Sequence, residues 1–524
     1  MYKPNGLRQQ VSFGDRISFL TKREVKRLEK SWAYPFSTLV FPNINESSFS
    51  VLYCPDNGRA NTPVNVIIGA LILKSMFMLT DEDLLDRLVF DLSFQYALHL
   101  TSCDEIPLSD RTLSRFRERL IEHERDTGED LLHEEMERLG QLFARMKGID
   151  GRLQRMDSLM VATSSKTMGR LELMYTCISN MVSRLLKTNQ VDLLPEHFLQ
   201  YTDDNRNAYC YRLNEDEVES KLESIASDGL LLLELTGYAR SCSNEFELLE
   251  RALDDQTENG RLKQRKLIKP DSLQNPSDED ATFRYKGNKS YKGYTAGFVE
   301  ACGDTGNMII RYEYKVNLHS DVAFGAKAIE SHGYQKERTV MVADGAYGSE
   351  ANFAAAEANN IELVVTSLTG KEPQPIINEF VIDDTIKSCP EGHIPTDSTY
   401  DAEQDCFRAH FNREICHKCP RYEQCPATLQ KKRAVVRLTR ATVNRAAYAA
   451  RLTSGEFKQH ARLRNGVEGI PSVLRRVYRV DSMPVRGLLR TKLWFGFMIG
   501  AINAKRVMKL ALNETASRWM LVAR

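Results

Sequence analysis

Residues Thr339 to Ala343 (TVMVA) form a short, mostly apolar, β-branched run that ends on Asp344-Gly345. Such a run fits a strand inside a sheet rather than at its surface. A carboxylate at its end, with a glycine to turn the chain, sets an acid beyond the carboxyl end of a buried strand. That is where open α/β sheets bind ligands. Asp before Gly also suits an ordinary turn, so the segment constrains the fold more firmly than the chemistry.

Two further segments add acids. Met156-Asp157-Ser158 lies in a second expected strand, Leu153 to Val161. Arg464-Asn465-Gly466-Val467-Glu468 is followed by Arg475, and spacings of four and seven predict one shared helical face. Val467, Ile470, Leu474 and Val477 supply an apolar stripe beside it. Gly466, Gly469 and Pro471 crowd the acid, and Pro471 removes a helical hydrogen bond, so a kink or break is expected with Glu468 near a helix end. Mg²⁺ prefers carboxylates and water. Two ions roughly 3.5–4 Å apart can activate one phosphoryl oxygen and stabilise another, and three acids from separate elements can hold both. Arginines beside the third acid suit phosphate, because guanidinium is planar and bidentate.

On these residues the chain resembles a DDE transposase of a bacterial insertion sequence, of the cut-and-paste type with a helical N-terminal domain. Asp157 matches the family's first acid, and Asp344 in Asp-Gly-Ala-Tyr matches the second. Glu468 matches the third, in a pattern of Tyr, two residues, Arg, three residues, Glu, six residues, Lys. Arg464 fits that pattern; Ala461 stands in place of the Tyr, and Arg475 replaces the Lys with its charge kept. The resemblance runs from about Pro63 to Arg506. It implies catalysis and metal binding by Asp157, Asp344 and Glu468 with two Mg²⁺ or Mn²⁺ ions. It also implies double-stranded DNA (element ends and target) as substrate, homo-oligomers on DNA, and a ribonuclease-H-like core.

The residue patterns agree with a multi-domain α/β chain having a mixed-sheet core. Ile310, Tyr312, Tyr314 and Val316 alternate with polar residues, as in a half-buried strand. Tyr294–Ala301 reads as a strand before it. Ser320 suits the cap of a helix through Ile329, and a helix near 349–359 and a strand from Ile361 to Thr366 follow. The expected divisions are an N-terminal helical DNA-binding domain (1–148) and a catalytic core (149–168, 281–370 and 447–510). A helical insertion (169–280), a Cys-rich insertion (371–430) and a basic C-terminal region (431–524) overlapping the core complete them.

Charge sorts by region. The chain carries 71 basic and 71 acidic residues, yet from Lys431 onward 21 Lys and Arg face 4 Asp and Glu, while 191–260 holds 5 against 17. A basic region of that density points to a phosphate backbone, or packs against the acidic one. Arg464, Arg475 and Arg476 are its candidate DNA contacts. Ser109-Asp110 opens an Arg-rich helix with Arg115 and Arg117, either a recognition helix or an ordinary surface helix. Lys289 and Lys292, interleaved with tyrosines, form a DNA-facing edge or an exposed strand pair. Asp278 and Asp280 are rival metal ligands or parts of a solvated acidic turn.

No run reaches the roughly 18 uninterrupted apolar residues of a membrane span, and the polar N-terminus lacks a signal peptide's apolar stretch. A cytoplasmic, nucleoid-associated protein is expected, without membrane partners. Its eleven cysteines are then thiols or metal ligands rather than disulfides. Cys389, Cys416, Cys419 and Cys425 cluster in a loop-rich segment with no evident core, and four thiolates suit a structural zinc ion. The other cysteines read as isolated small hydrophobes. Beside the transposase reading stand a catalytically inactive DNA-binding descendant and a plain metal-dependent nuclease.

Overall fold

The apolar stretch after Pro63 has no polar face, so as a helix it must be covered on all sides. In the computed structural model it is α1 (Val64–Phe77), with every residue from Val64 to Lys74 buried. The structure describes all residues except 6–14, 102–107, 191–193, 237–242, 287–288, 371, 453, 467–468 and 514–524. Thr80 caps α2 (Asp81–Phe90) in a reciprocal pair with Asp83. Ser109 caps α3 (Asp110–Thr127), which buries Leu113, Phe116 and Leu120. Helix α4 (Leu131–Met146) follows.

The central sheet begins with β1 (Leu153–Ala162). Helices α5 (Arg170–Lys187), α6 (Glu215–Thr236) and α7 (Ser243–Gln256) then build a separate apolar cluster around Tyr175, Ile178, Ile225 and Leu249. The chain returns through β2 (Thr282–Lys286), the long β3 (Lys289–Gly303) and β4 (Gly306–Val316). Next come α8 (Asp321–His332), β5 (Thr339–Ala343), α9 (Glu350–Ala358) and β6 (Ile361–Val365). The sheet order is β4-β3-β1-β5-β6, with β2 paired to the start of β3. Strands β4, β3 and β1 run antiparallel, whereas β1, β5 and β6 are parallel.

The Cys-rich segment departs from expectation. It holds a second sheet, β7 (Asp397–Asp401), β8 (Cys406–Asn412), β9 (Thr428–Leu429) and β10 (Arg433–Thr439), in the order β7-β8-β10-β9. It also has its own core, including Ile377, Phe407, Phe411, Val436 and Leu438. Its apolar residues are spread over some seventy positions, so no single window displays them.

Helices α10 (Arg440–Arg451), α11 (Gly455–Asn465) and α12 (Gly469–Arg476) follow. The single helical face expected to carry Arg464 and Arg475, with Glu468 between them, does not form for the two arginines, which lie on separate helices; Glu468 is outside the described residues. Helix α11 ends before Gly466 and α12 begins at Gly469, with Pro471 in its first turn, where it lacks the N–H that a continuous helix would need. The chain closes with α13 (Leu488–Asn513), whose Phe495, Met498 and Ile499 join one apolar cluster with α1, α4 and the central sheet. Asn503 on α13 both donates to and accepts from the backbone of Ile309 on β4. Among the described residues no single helix is long and apolar enough to cross a membrane.

Candidate active site

Register explains how two acids separated by 187 positions in sequence meet. Strands β1 and β5 are parallel neighbours, with Arg155 beside Val342. Asp157 and Asp344 each lie two residues further along, so both sit at the same level of the sheet. The Arg464 guanidinium reaches between them, 3.7 Å from Asp157 Oδ2 and 3.9 Å from Asp344 Oδ2. Two carboxylates aimed at one place repel each other unless a cation stands there, and Arg464 supplies that charge.

The two acids differ in setting. The Asp157 side chain is 14% exposed and that of Asp344 is 47% exposed. Burial pushes the Asp157 carboxyl above its usual range, and the charges of Asp344 and Asp321 push the same way. The Ser158 amide and Arg464 oppose them. Asp344 caps the short turn Gly345–Tyr347, accepting from the Gly345 amide at 2.7 Å. A Cβ at Gly345 would lie 2.5 Å from the Ser367 carbonyl oxygen, so glycine is needed for the close approach of the loop after β6.

Asp321 was not legible as part of this group. It stands at the start of α8, nearly buried, accepting from Ser158 Oγ at 2.7 Å and paired with Lys286 at 3.2 Å. The available signal was its place directly after β4 at a capped helix start, where a negative charge is favoured. Tyr347 is buried next to these acids, and burial with their charges holds its phenol well above the ordinary range.

Glu468 lies outside the described residues. Among the described residues, no group of three or more His, Cys, Asp or Glu is arranged to hold a metal ion. The donor chemistry still fits Mg²⁺: hard carboxylate oxygens, one of them open to solvent. Ala461 faces α11's contact with β5 and β6, in an apolar cluster with Val342, Val364 and Phe457.

The basic residues separate into exposed and engaged. Arg115, Lys289 and Arg476 are exposed. Arg475 binds Asp481 and the Met160 carbonyl, both at 3.1 Å, tying α12 to β1. Arg117 points inward instead of outward: it makes a two-pronged pair with Asp81 at 2.6 and 2.8 Å and lies over the Trp494 ring. Lys292 likewise turns inward, donating to the Met168 carbonyl at 3.2 Å. Asp278 and Asp280 form no solvated turn. Asp278 is buried, accepts from Tyr294, Thr163 and the Gly487 amide, and Asp280 accepts from the Leu488 amide at 2.7 Å, so the pair anchors the start of α13.

Cys389, Cys416, Cys419 and Cys425 line one cavity of about 30 Å³ beneath the second sheet. Burial and the three neighbouring thiols raise Cys416 to about 11. Cys406 lies apart, accepting from Arg437. Of the remaining cysteines, Cys177 and Cys302 are buried, Cys210 is half-buried, and Cys54 is exposed, contrary to its reading as a small hydrophobe. Cys103 and Cys242 lie outside the described residues.

Residues 388–508 match a family described as a transposase DDE domain, and residues 28–119 match one described as a transposase domain, DUF772. The two matches indicate a DDE-type insertion-sequence transposase. No curated protein and no solved structure matches the chain. Along the chain, the first match spans the second sheet, α10 to α12, most of α13 and Glu468, while Asp157 and Asp344 precede it. The second covers α1, α2 and the Arg115 half of α3.

Proposed function

We propose that this transposase cleaves DNA at the ends of its element and joins those ends to target DNA, using Asp157, Asp344 and Glu468 on a ribonuclease-H-like core. The observation that carries the reading is the convergence of Asp157 and Asp344 on one guanidinium. The strand order β4-β3-β1-β5-β6, three antiparallel then two parallel, supports the core assignment. Divalent metal ions, when bound, would activate the attacking oxygen and stabilise the leaving one. Asp157 and Asp344 would hold them, with Glu468 as third acid. Arg464 would pass from the carboxylates to a phosphate oxygen as cation and substrate enter. The test is metal-dependent nicking of DNA carrying the sequences that flank the gene. Binding without cleavage in Mg²⁺ or Mn²⁺ would favour the inactive descendant.

The exposed arginines Arg115, Arg462, Arg476, Arg486 and Arg490 would meet the DNA backbone. DNA affinity is then expected to fall steeply with salt, with a log–log slope of about −0.9 per neutralised phosphate. Arg476→Ala should reduce that slope by about one contact. A flat salt dependence would remove the basic surface from the proposal. Homo-oligomers on DNA, and division into the domains read from sequence, belong to the same proposal.

The four thiols line one cavity without standing at ligand spacing, and would draw together on one structural zinc ion, adding folding energy to the core of the second sheet. Elemental analysis of purified protein is expected to find zinc, and Cys416→Ser to lose it. Zinc-free, well-folded protein would sink this assignment.

A further inference from the structure

We infer that Arg155 is a positioning residue that sets the end of α11, and with it Arg464, against the acids; the inference rests on the function proposed above. Arg155 lies two residues before Asp157 on β1, so the two share a face of the strand. Its side chain is 6% exposed, and Nε and Nη2 both reach Glu300 Oε2 at 2.6 Å. Glu300 is its direct cross-strand partner on β3 and is fully buried. Arg506 on α13 takes the other carboxylate oxygen at 2.6 Å. The remaining arm of Arg155 leaves the sheet: Nη1 donates to the Leu463 carbonyl at 2.9 Å, in the last turn of α11. The Leu463 carbonyl already takes the Gly466 cap N–H but has a lone pair to spare, and the helix end carries the negative end of the dipole, so a guanidinium suits it.

Gly466 gives a second, independent observation. Its φ is −64°, open to any residue, so backbone freedom does not explain the glycine. A Cβ there would stand 2.2 Å from Arg155 Nη1. The guanidinium cannot swing aside cheaply, because Glu300 and Leu463 hold it in a buried place. Glycine is therefore required for the approach of α11 to Arg155. Arg464 follows Leu463 directly, and Glu468 follows Gly466 by two residues. A shift at this junction moves the cation between Asp157 and Asp344, and groups that orient metal-site side chains typically govern about 10–100-fold in affinity or activity.

The test uses the full-length protein and three variants: Arg155→Lys, Gly466→Ala and the two combined. Four readouts are compared: Mn²⁺ binding followed by electron paramagnetic resonance, cleavage rate against Mn²⁺ concentration, DNA affinity and thermal midpoint. Each single variant is expected to weaken Mn²⁺ binding and slow cleavage about tenfold. DNA affinity should stay within about twofold. The double variant is expected to be no worse than the worse single one, because one contact is broken twice. Gly466→Ala leaves every charge in place, so it decides the matter if Arg155→Lys fails to fold. Wild-type Mn²⁺ binding and cleavage in Gly466→Ala, or multiplying losses in the double variant, would overturn the positioning role. Wild-type protein that neither binds Mn²⁺ nor cleaves DNA would instead remove the proposed function itself.

Discussion

Asp157→Ala and Asp344→Ala are each expected to lose metal-dependent DNA cleavage by about a thousandfold or more, while DNA binding persists. The size follows from the chemistry. A metal ion contributes several kcal/mol to stabilising phosphoryl charge, and about 4 kcal/mol is a thousandfold in rate. Either acid alone cannot easily retain two ions. Asp344→Asn is the sharper variant. Its amide oxygen can still accept from the Gly345 amide, so the turn after β5 keeps its cap while the charge is lost. Asp157→Ala also removes a carboxyl that burial already disfavours, so its folding cost should be small. Cleavage assays with Mg²⁺ and Mn²⁺, beside a DNA-binding measurement, check both. Undiminished cleavage in Asp344→Asn would show that the chemistry lies elsewhere in the chain.

Glu300→Ala should be the most damaging single change to stability away from the acids, by about 3–5 kcal/mol. Glu300 is fully buried and shared by Arg155 and Arg506, so its loss leaves two inward guanidinium groups without their common anion. An intact buried ion network contributes little net stability, whereas one partner removed from it leaves uncompensated charge. Glu300→Gln keeps the shape and one acceptor oxygen and should fall between wild type and alanine. Chemical denaturation midpoints of the three proteins test the order. A midpoint for Glu300→Ala equal to wild type would mean that water or rearrangement satisfies the arginines.

Legibility in the sequence followed the range of the interactions involved. Strand β5 has the bounds its apolar, β-branched run announced, and α3 and α8 start where Ser109 and Ser320 cap them. Capping and periodicity are local, so a window of a few residues contains the whole cause. The break between α11 and α12 was half legible. The glycines and Pro471 predicted it, but helical spacing alone placed Arg464 and Arg475 on one face. The second sheet was missed because its core is assembled from residues between Ile377 and Ala446. Arg117 and Lys292 looked like surface cations because their partners, Asp81 and the Met168 carbonyl, lie 36 and 124 positions away.

By itself the sequence determined most strands of the central sheet, several helix starts, the regional sorting of charge, and the candidacy of Asp157, Asp344 and Glu468. These follow from side-chain chemistry and short-range spacing. Only the tertiary structure decided that Asp157 and Asp344 share a level of the sheet, that Asp321 and Tyr347 crowd them, and that Arg464 stands between the two acids. It also decided that a buried Arg155 reaches across to Leu463 and leaves room only for glycine at position 466. The reason is physical. Strand register and buried ion pairing join residues hundreds of positions apart, and no local pattern records which strand becomes whose neighbour.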